Sequence, residues 1–568
     1  MKIWIILAFA AVLIVIAAIN SRATKAGQEK DKNKGSWGRF QSKKYPRDDY
    51  DNISHYAMHS KDRGFYVDDI TWNDLEMDDI FRSMDCAQSS IGREYVYKSL
   101  RMPEKDKRKL KDLDSSAEFM SGNEGARLKT QSRLSKLGFV HNFSFSDYLD
   151  TIQTLRPIGS GVSIILDILL IASIIFAVTK NAPLGVIFII GVSLTATAIY
   201  FKKKPEIEPY FICLSQVSRM VRTGNDLLAD RELCREYPEV LSEKMDIIER
   251  SVDSLKPCTR GDWLIADSRS TGSPAEVFMN YIRMFTHVDI IHYNSAIKKM
   301  QGQKQAITDL METFGFIEMS IVTASYREAL PYWSRPEFTD IGQRTEIELE
   351  EVFHPLIEDP IANSITLPKD GSSHVLLTGS NASGKSTFLK AVAINAILSQ
   401  TMATALAVKY RAPMFRVYSS MSLRDDLKSS GSYYMVEIKA LKRILDAAEE
   451  PDDMPVLCFV DEVLRGTNTI ERIAASSAIL NYISKERVTA FAATHDIELT
   501  GLLKNSYANY HFREEMTENG IEFSYKLFEG PATTRNAIAL LDNLGYDEQI
   551  IKEASVRAGN FAETGIWR

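Results

Sequence analysis

The sequence predicts an α + α/β protein, helical over most of its N-terminal part and closed by a C-terminal α/β domain. Three observations carry this. Residues 61–345 keep helical patterning with few breakers, apolar runs long enough to cross a bilayer lie before and within them, and His374–Leu398 reads as strand, glycine loop and helix. A chain of 568 residues is too long for one core, which implies several domains. The expected order is a membrane helix at 1–20, a linker at 21–60, a helical core at 61–156, a transmembrane hairpin at 157–204, a second helical part at 205–345, and the α/β domain at 346–568 with a helix-turn-helix end.

Composition narrows the classes. Charged residues make up 25% and apolar residues 45%, ordinary values for a folded protein, so disorder is not the default. The net charge of −7 gives no global attraction to nucleic acid, so any such contact needs a local basic surface. The five cysteines lack C-x-x-C spacing and read as small buried residues of a reducing compartment. None of the nine histidines falls in a metal-ligand pattern.

Ile3–Ile19 is an uninterrupted apolar run, about 26 Å long as a helix against a hydrocarbon core of roughly 30 Å. A cleaved signal peptide is the competing reading, but only Lys2 precedes the run, whereas Arg22, Lys25, Lys30, Lys32 and Lys34 follow it. Excess Lys/Arg marks the cytoplasmic side, so this helix is expected to enter with its N-terminus outside. Val162–Val178 and Leu184–Phe201, joined by Thr179–Pro183 and flanked by Arg156 and Lys202–Lys204, read as a membrane hairpin that returns the chain to the cytoplasmic side. Asp167 lies inside it. An intramembrane carboxylate is a functional candidate, but its place little more than a turn from the edge favours local pairing. Helical patterning then resumes from residue 205 until Pro331 and Pro336.

In the α/β domain, the buried run Val375–Leu377 feeds Gly379-Ser380-Asn381-Ala382-Ser383-Gly384-Lys385-Ser386, followed by Thr387 and an alanine-rich helix. This fits G-x-x-x-x-G-K-[ST]: glycines let successive N–H groups wrap a phosphate at a helix N-terminus, Lys385 brings positive charge, and the Ser386 hydroxyl can ligate Mg²⁺. Val456–Val460 is a second buried strand ending in Asp461-Glu462. Carboxylates there can hold the metal (Asp461) and polarise an attacking water (Glu462). A third strand, Val488–Ala493, ends in Thr494-His495-Asp496, where His495 can sense a terminal phosphate. Asn519-Gly520 between two strand-like runs signals a hairpin.

Taken together, these motifs make the chain resemble the MutS DNA mismatch-repair ATPases, a branch of the ABC ATPase superfamily. The resemblance covers most of residues 354–558: His354-Pro355 with Pro360–Asn363, TGSNASGKST, Asp425–Leu427, GSYYMVEI (Gly431–Ile438), DEVLRGTNT (Asp461–Thr469) and ATHDIELT (Ala493–Thr500). Upstream, Asp74–Arg101 and Glu318–Asp340 look like parts of the family's helical core. The resemblance implies an ATPase with ATP and Mg²⁺, working as a dimer with composite sites, in which Ser432 contacts the γ-phosphate bound by the opposite subunit. It also implies that Asn536–Asn543 and Asp547–Ala558 form the dimerisation helices, and that DNA is the partner.

Some positions depart from the family. Ile361 stands where an adenine-stacking aromatic is common, so base stacking either falls to Tyr525 or is weak. Tyr433-Tyr434 replaces Thr-Phe, and Asn468 replaces a common Ser. There is no room for a mismatch-reading domain, and Phe316-Ile317-Glu318 reads as part of a core helix. Two functions stay open: a membrane-anchored ATPase coupled to DNA, and an ATP-driven membrane scaffold with a protein partner and no nucleic-acid contact.

Overall fold

The structure is a computed structural model that describes residues 31, 33–140, 144–147, 149, 159–261, 274–340, 346–368, 371–380, 383–421, 433–464, 467–485, 487–517, 520–532, 538, 541 and 545–564. The N-terminal apolar run at Ile3–Ile19 lies outside the described residues. The chain divides into two compact units. One gathers the described residues up to Asp62 together with Asp85–Lys98 and Asp112–Tyr326, and the other gathers Arg63–Met84, Ser99–Lys111 and the described residues from Arg327 onward.

The first unit is helical. In the helix Glu239–Leu255 the apolar residues Leu241, Met245, Ile248, Val252 and Leu255 recur every three or four positions and are buried. That spacing puts them on one stripe, which shares a core with Phe314, Ile317 and Ile321 of the helix Lys304–Ala329. Ile317 and Glu318 of the Phe-Ile-Glu triplet are both inside this unit. Glu318, 1% exposed, accepts from the Gln88 and Ser89 amides (2.5 and 3.3 Å) and from the Ser89 hydroxyl, occupying amides that open the helix Ser90–Arg101. Burial pushes its carboxyl up to about 7.

Among the described residues of this unit two helices are long and apolar enough to cross a membrane: Gly161–Thr179 and the stretch Ala182–Ile207. Only 11% and 17% of their apolar windows are buried, which is not how the core helix of a soluble domain behaves. They pack closely, since a Cβ on Gly185 would lie 2.3 Å from Cα of Ala177. Glycine is what permits that approach. The second helix does not end at Phe201. It runs on as Ala182–Leu228, 47 residues, through Pro205 and Pro209, because beyond the prolines Phe211, Leu214, Val217 and Val221 are buried in the helical core. Lys203 Nζ donates to the Gly159 carbonyl (2.8 Å), closing the hairpin at its basic end. Asp167 Oδ1 has no hydrogen-bond partner among the described residues, so the local pairing expected for it is not formed at that oxygen.

Among its described residues the second unit holds ten strands: β1 (Glu337–Phe338), β2 (Ile347–Val352), β3 (Asn363–Leu367), β4 (Val375–Thr378), β5 (Lys409–Ala412), β6 (Arg416–Ser420), β7 (Val456–Asp461), β8 (Val488–Ala493), β9 (Ala508–Thr517) and β10 (Gly520–Glu529). A small sheet has the order β1-β5-β2-β3, and a larger one β10-β9-β4-β8-β7-β6. In the larger sheet β9, β4, β8, β7 and β6 run parallel, and β10 pairs antiparallel with β9. β4 and β8 are buried along their whole length, as continuous apolar strands between covering layers are. Residues 63–84, which the sequence groups with the helical core, belong to this unit. Their short helix Asp69–Asp74 lies against edge strand β6 through polar bonds, and hydrophobic periodicity carries no signal for such bonds.

Candidate active site

The parallel order β4-β8-β7 sets the C-terminal ends of three strands side by side, where α/β sheets bind their ligands. β4 runs into the glycine loop, and the helix Lys385–Met402 leaves it. Gly379 and Gly384 have φ of 144° and 110°, values that side chains disfavour. A Cβ on Gly379 would also lie 2.6 Å from the Phe512 carbonyl oxygen, so the loop closes only with glycine there. Lys385 is 5% exposed, and its Nζ donates to the carbonyls of Gly379 (2.9 Å) and Ser380 (2.7 Å). Asn381 and Ala382 lie outside the described residues.

The other strand ends converge on this lysine. Asp461 closes β7, and its Oδ2 accepts from the Ser386 hydroxyl. Glu462 follows with φ 57°, its amide bonded to the Ala493 carbonyl at 2.9 Å. His495 Nε2 sits 2.8 Å from Glu462 Oε1 and 3.5 Å from Lys385 Nζ. One ring nitrogen cannot donate to the carboxylate and accept from the ammonium at once. The shorter contact decides: Nε2 carries the proton and donates to Glu462.

Beside the loop is a cavity of about 410 Å³ whose lining includes His354, Ile361, Gly384, Thr387, Phe388 and Tyr525. Both candidate base contacts, Ile361 and Tyr525, thus reach one cavity with the loop. Tyr525, at φ 50°, lies where the β9–β10 register shifts between Phe523 and Leu527. Asn363 fixes that irregularity: its side chain donates to the Tyr525 carbonyl (3.0 Å) and accepts from the Leu527 amide (2.8 Å). His354 is held down to about 4 by burial and then by nearby Lys390. His374 is likewise held at about 4 by burial.

These two rings make acid stability predictable. In the unfolded chain they take protons below about 6.5, whereas in the folded unit they resist until about 4. The unfolded state therefore binds more protons in that window. Stability is expected to be fully present above 6.5 and to fall as pH drops towards 4, by on the order of 3 kcal/mol for each ring. Urea-unfolding midpoints at pH 7 and 4.5, compared with those of His374→Asn, check this. An equal acid shift in both proteins would contradict it.

Three supporting residues carry no motif signal of their own. Arg472 grips Asp496 with two bonds (2.9 and 2.6 Å), holding the turn that carries His495. Glu437, 4% exposed, accepts from the Leu464 amide and so braces the turn after Glu462, where Leu464 also has a positive φ of 60°. Asn363 is the third. Asn363, Glu437 and Asp496 do lie inside the quoted runs Pro360–Asn363, GSYYMVEI and ATHDIELT, but their bonding partners are distant in sequence. Asn468 caps the helix Thr469–Ile483 by accepting from the Ile470 amide (2.9 Å). Asn and Ser cap about equally well, which accounts for the exchange at this position. Ser432 and Gly466 lie outside the described residues. Of the C-terminal pair, the first helix lies mostly outside them, and the second is the helix Glu548–Thr564.

Residues 375–562 match the family profile of MutS domain V. A DNA mismatch repair protein MutS of Thermus thermophilus is 30% identical over 226 residues, 39% of this chain and 26% of the relative. That of Natronomonas pharaonis is 33% identical over 288 residues, 49% of this chain and 33% of the relative. Human MutS protein homolog 4 is 30% identical over 272 residues, 45% and 28% respectively. The chain thus spans between about a quarter and a third of the length of these relatives. Residues 375–562, within the C-terminal unit, are thus similar to domain V of the MutS proteins.

Proposed function

We propose that the chain is a membrane-anchored ATPase of the MutS type, working as a dimer with composite sites and coupling ATP turnover to DNA. The observation that carries this is the meeting of Lys385, Ser386, Asp461, Glu462 and His495 within hydrogen-bonding reach at the ends of adjacent parallel strands. The residues fit ATP and Mg²⁺. The glycine loop is a cradle that a Cβ would fill, and the Ser386 hydroxyl and Asp461 carboxylate already point at one another, as a shared metal needs. When bound, Mg²⁺ supplies charge neutralisation on the phosphates.

The chain's own groups then divide the work. Lys385 exchanges its two loop carbonyls for phosphate oxygens, and the loop amides orient the triphosphate. Glu462 takes the proton of the attacking water, and His495, donating to Glu462, holds that carboxylate in place. Ile361 and Tyr525 flank the base. Ser432 completes the site of a second copy. Ile470, 80% exposed at the start of its helix, and Met435, 46% exposed, give that copy an apolar surface. Membrane attachment rests on the two apolar helices and the run Ile3–Ile19, with the helical part and ATPase on the cytoplasmic side.

The DNA part rests on the relatives of Thermus thermophilus and Natronomonas pharaonis, which are named DNA mismatch repair proteins. A reading with a protein partner and no DNA is favoured by the net charge of −7 together with the apolar helices. The detergent-solubilised protein, titrated with duplex DNA across salt concentrations with and without ATP, separates the two. Binding that weakens steeply with salt is expected. No binding in any nucleotide state would favour the protein-partner reading.

A further inference from the structure

The apolar hairpin of the helical unit has a neighbour that the sequence assigns to the second helical part. The helix Pro274–Thr286 packs against Gly161–Thr179 and against the long helix Ala182–Leu228. His287 follows it, and the helix Val288–Met300 leaves from there. The turn between the two helices is fastened at one level of the hairpin. His287 Nε2 donates to the Ala196 carbonyl at 2.8 Å, and its ring stacks on Tyr200 with centroids 5.9 Å apart. The Tyr200 hydroxyl donates to Asp289 at 2.9 Å. Ala196 lies six residues before Lys202, which is about 9 Å along a helix. Basic residues in that position mark the membrane edge, and the hydrocarbon core is roughly 30 Å thick. The turn at His287 therefore reaches about a third of the way into it.

Two features suit that depth. The first is the turn itself. In lipid, non-helical backbone is tolerated only where protein surrounds it and satisfies its polar groups. His287 has φ 49° and is fully buried. Its amide donates to the Arg283 carbonyl (2.8 Å), and its carbonyl accepts from the Ile291 amide (3.0 Å). The charged side chains beside the turn point inward: Asp289, 2% exposed, also accepts from the Ile290 amide (2.9 Å), and Arg283, 6% exposed, donates to the Asn280 side chain (2.8 Å). Ionisable groups at membrane depth are placed this way. The second feature is the outer face of Pro274–Thr286. Met284 packs on the helical core, whereas Val277, 47% exposed, Tyr281, 55% exposed, and half-buried Phe285 recur every fourth residue. That spacing sets them on one stripe, and the Tyr281 and Phe285 rings stack at 6.4 Å. An aromatic and aliphatic stripe suits the boundary between headgroups and acyl chains.

We propose that Pro274–Thr286, with the turn at His287, is a third lipid-contacting element, which enters the cytoplasmic leaflet beside the hairpin and turns back without crossing. The stripe Val277-Tyr281-Phe285 faces the bilayer. A soluble protein seated there would have to displace lipid, because the same helix lies along the apolar hairpin. The bonds of His287 and Asp289 then hold the helical unit at a fixed height on the membrane, where the hairpin alone would only tether it.

This inference rests on the membrane reading above, and its test separates the two. Single cysteines are introduced as Tyr281→Cys and, as a second position on the stripe, Val277→Cys. The full-length background carries Cys234→Ser, the other four cysteines being buried. Ile168→Cys, on a hairpin residue 60% exposed, serves as the lipid reference, and Glu249→Cys, on an exposed residue of Glu239–Leu255, as the water reference. Each carries a nitrobenzoxadiazole label in vesicles of phosphatidylcholine and phosphatidylglycerol, with and without doxyl groups on the acyl chains. Both stripe labels are expected to show at least about half the doxyl quenching seen at Ile168, as an apolar face sunk at the headgroup boundary does, and Glu249 none. Stripe labels that behave like Glu249 while Ile168 is quenched would overturn the proposal and leave the hairpin in the membrane. A blue-shifted stripe emission that doxyl lipid does not quench would mean that protein covers the stripe, and would overturn it too. Loss of quenching at Ile168 as well would remove the membrane reading and this inference with it.

Discussion

Replacing Lys385 by alanine is expected to weaken nucleotide binding about a hundredfold while leaving the fold in place. In the structure Lys385 is 5% exposed, and its ammonium is held by two carbonyls of its own loop. Those bonds keep a buried charge satisfied until phosphate oxygens, which are better acceptors, replace them. Alanine removes the only lysine of the loop but none of the apolar anchors of the helix behind it, where Phe388, Leu389, Val392 and Ile394 are buried. Removing charge-assisted bonds to phosphate costs about 3 kcal/mol, which is roughly a hundredfold in affinity. Titration with a fluorescent ATP analogue checks the loss, and thermal unfolding of the same sample checks the fold. Affinity within a fewfold of the unsubstituted protein would remove the phosphate-loop argument altogether.

The reason this lysine was legible in sequence, and others were not, is physical. The phosphate loop, the Asp461-Glu462 strand end and the Asn519-Gly520 hairpin are local events, each written in consecutive residues. β4, β7 and β8 are buried apolar runs, so their place in one parallel sheet follows from the strand–helix alternation around them, whereas their non-sequential order does not. The long helix Ala182–Leu228 was legible only in halves, because Pro205 and Pro209 look like stops until the buried residues beyond them are known. Least legible were the contacts made by polar side chains across long separations. Nothing near Asp74 announces Ser419, nothing near Glu437 announces Leu464, and nothing near Asn363 announces the irregular strand at Tyr525. Hydrogen-bond partners have no periodicity, so only the folded chain reveals them.

Substituting Glu462 by glutamine is expected to preserve ATP binding, stop turnover and hold the protein as a dimer. The carboxylate is placed by features that glutamine keeps. Its residue stands at φ 57°, pinned by its amide to Ala493 at 2.9 Å and by the Glu437 brace on Leu464. A strained turn held from both sides does not relax when one oxygen becomes an amide group. The glutamine oxygen can still accept from His495 Nε2, now 2.8 Å away. What disappears is the capacity to take a proton from water, and general-base loss typically costs about 10² to 10⁴ in rate. Lys385, Ser386 and Asp461 are untouched, so ATP and Mg²⁺ remain bound, and the γ-phosphate that Ser432 of a second copy is proposed to contact is never cleaved. Turnover assays with Mg²⁺, set beside the oligomeric state measured with and without ATP, read both halves of this expectation. Hydrolysis at the unsubstituted rate would move the base elsewhere, with His495 the nearest alternative. Stalled hydrolysis without a trapped dimer would separate the chemistry of the site from its assembly.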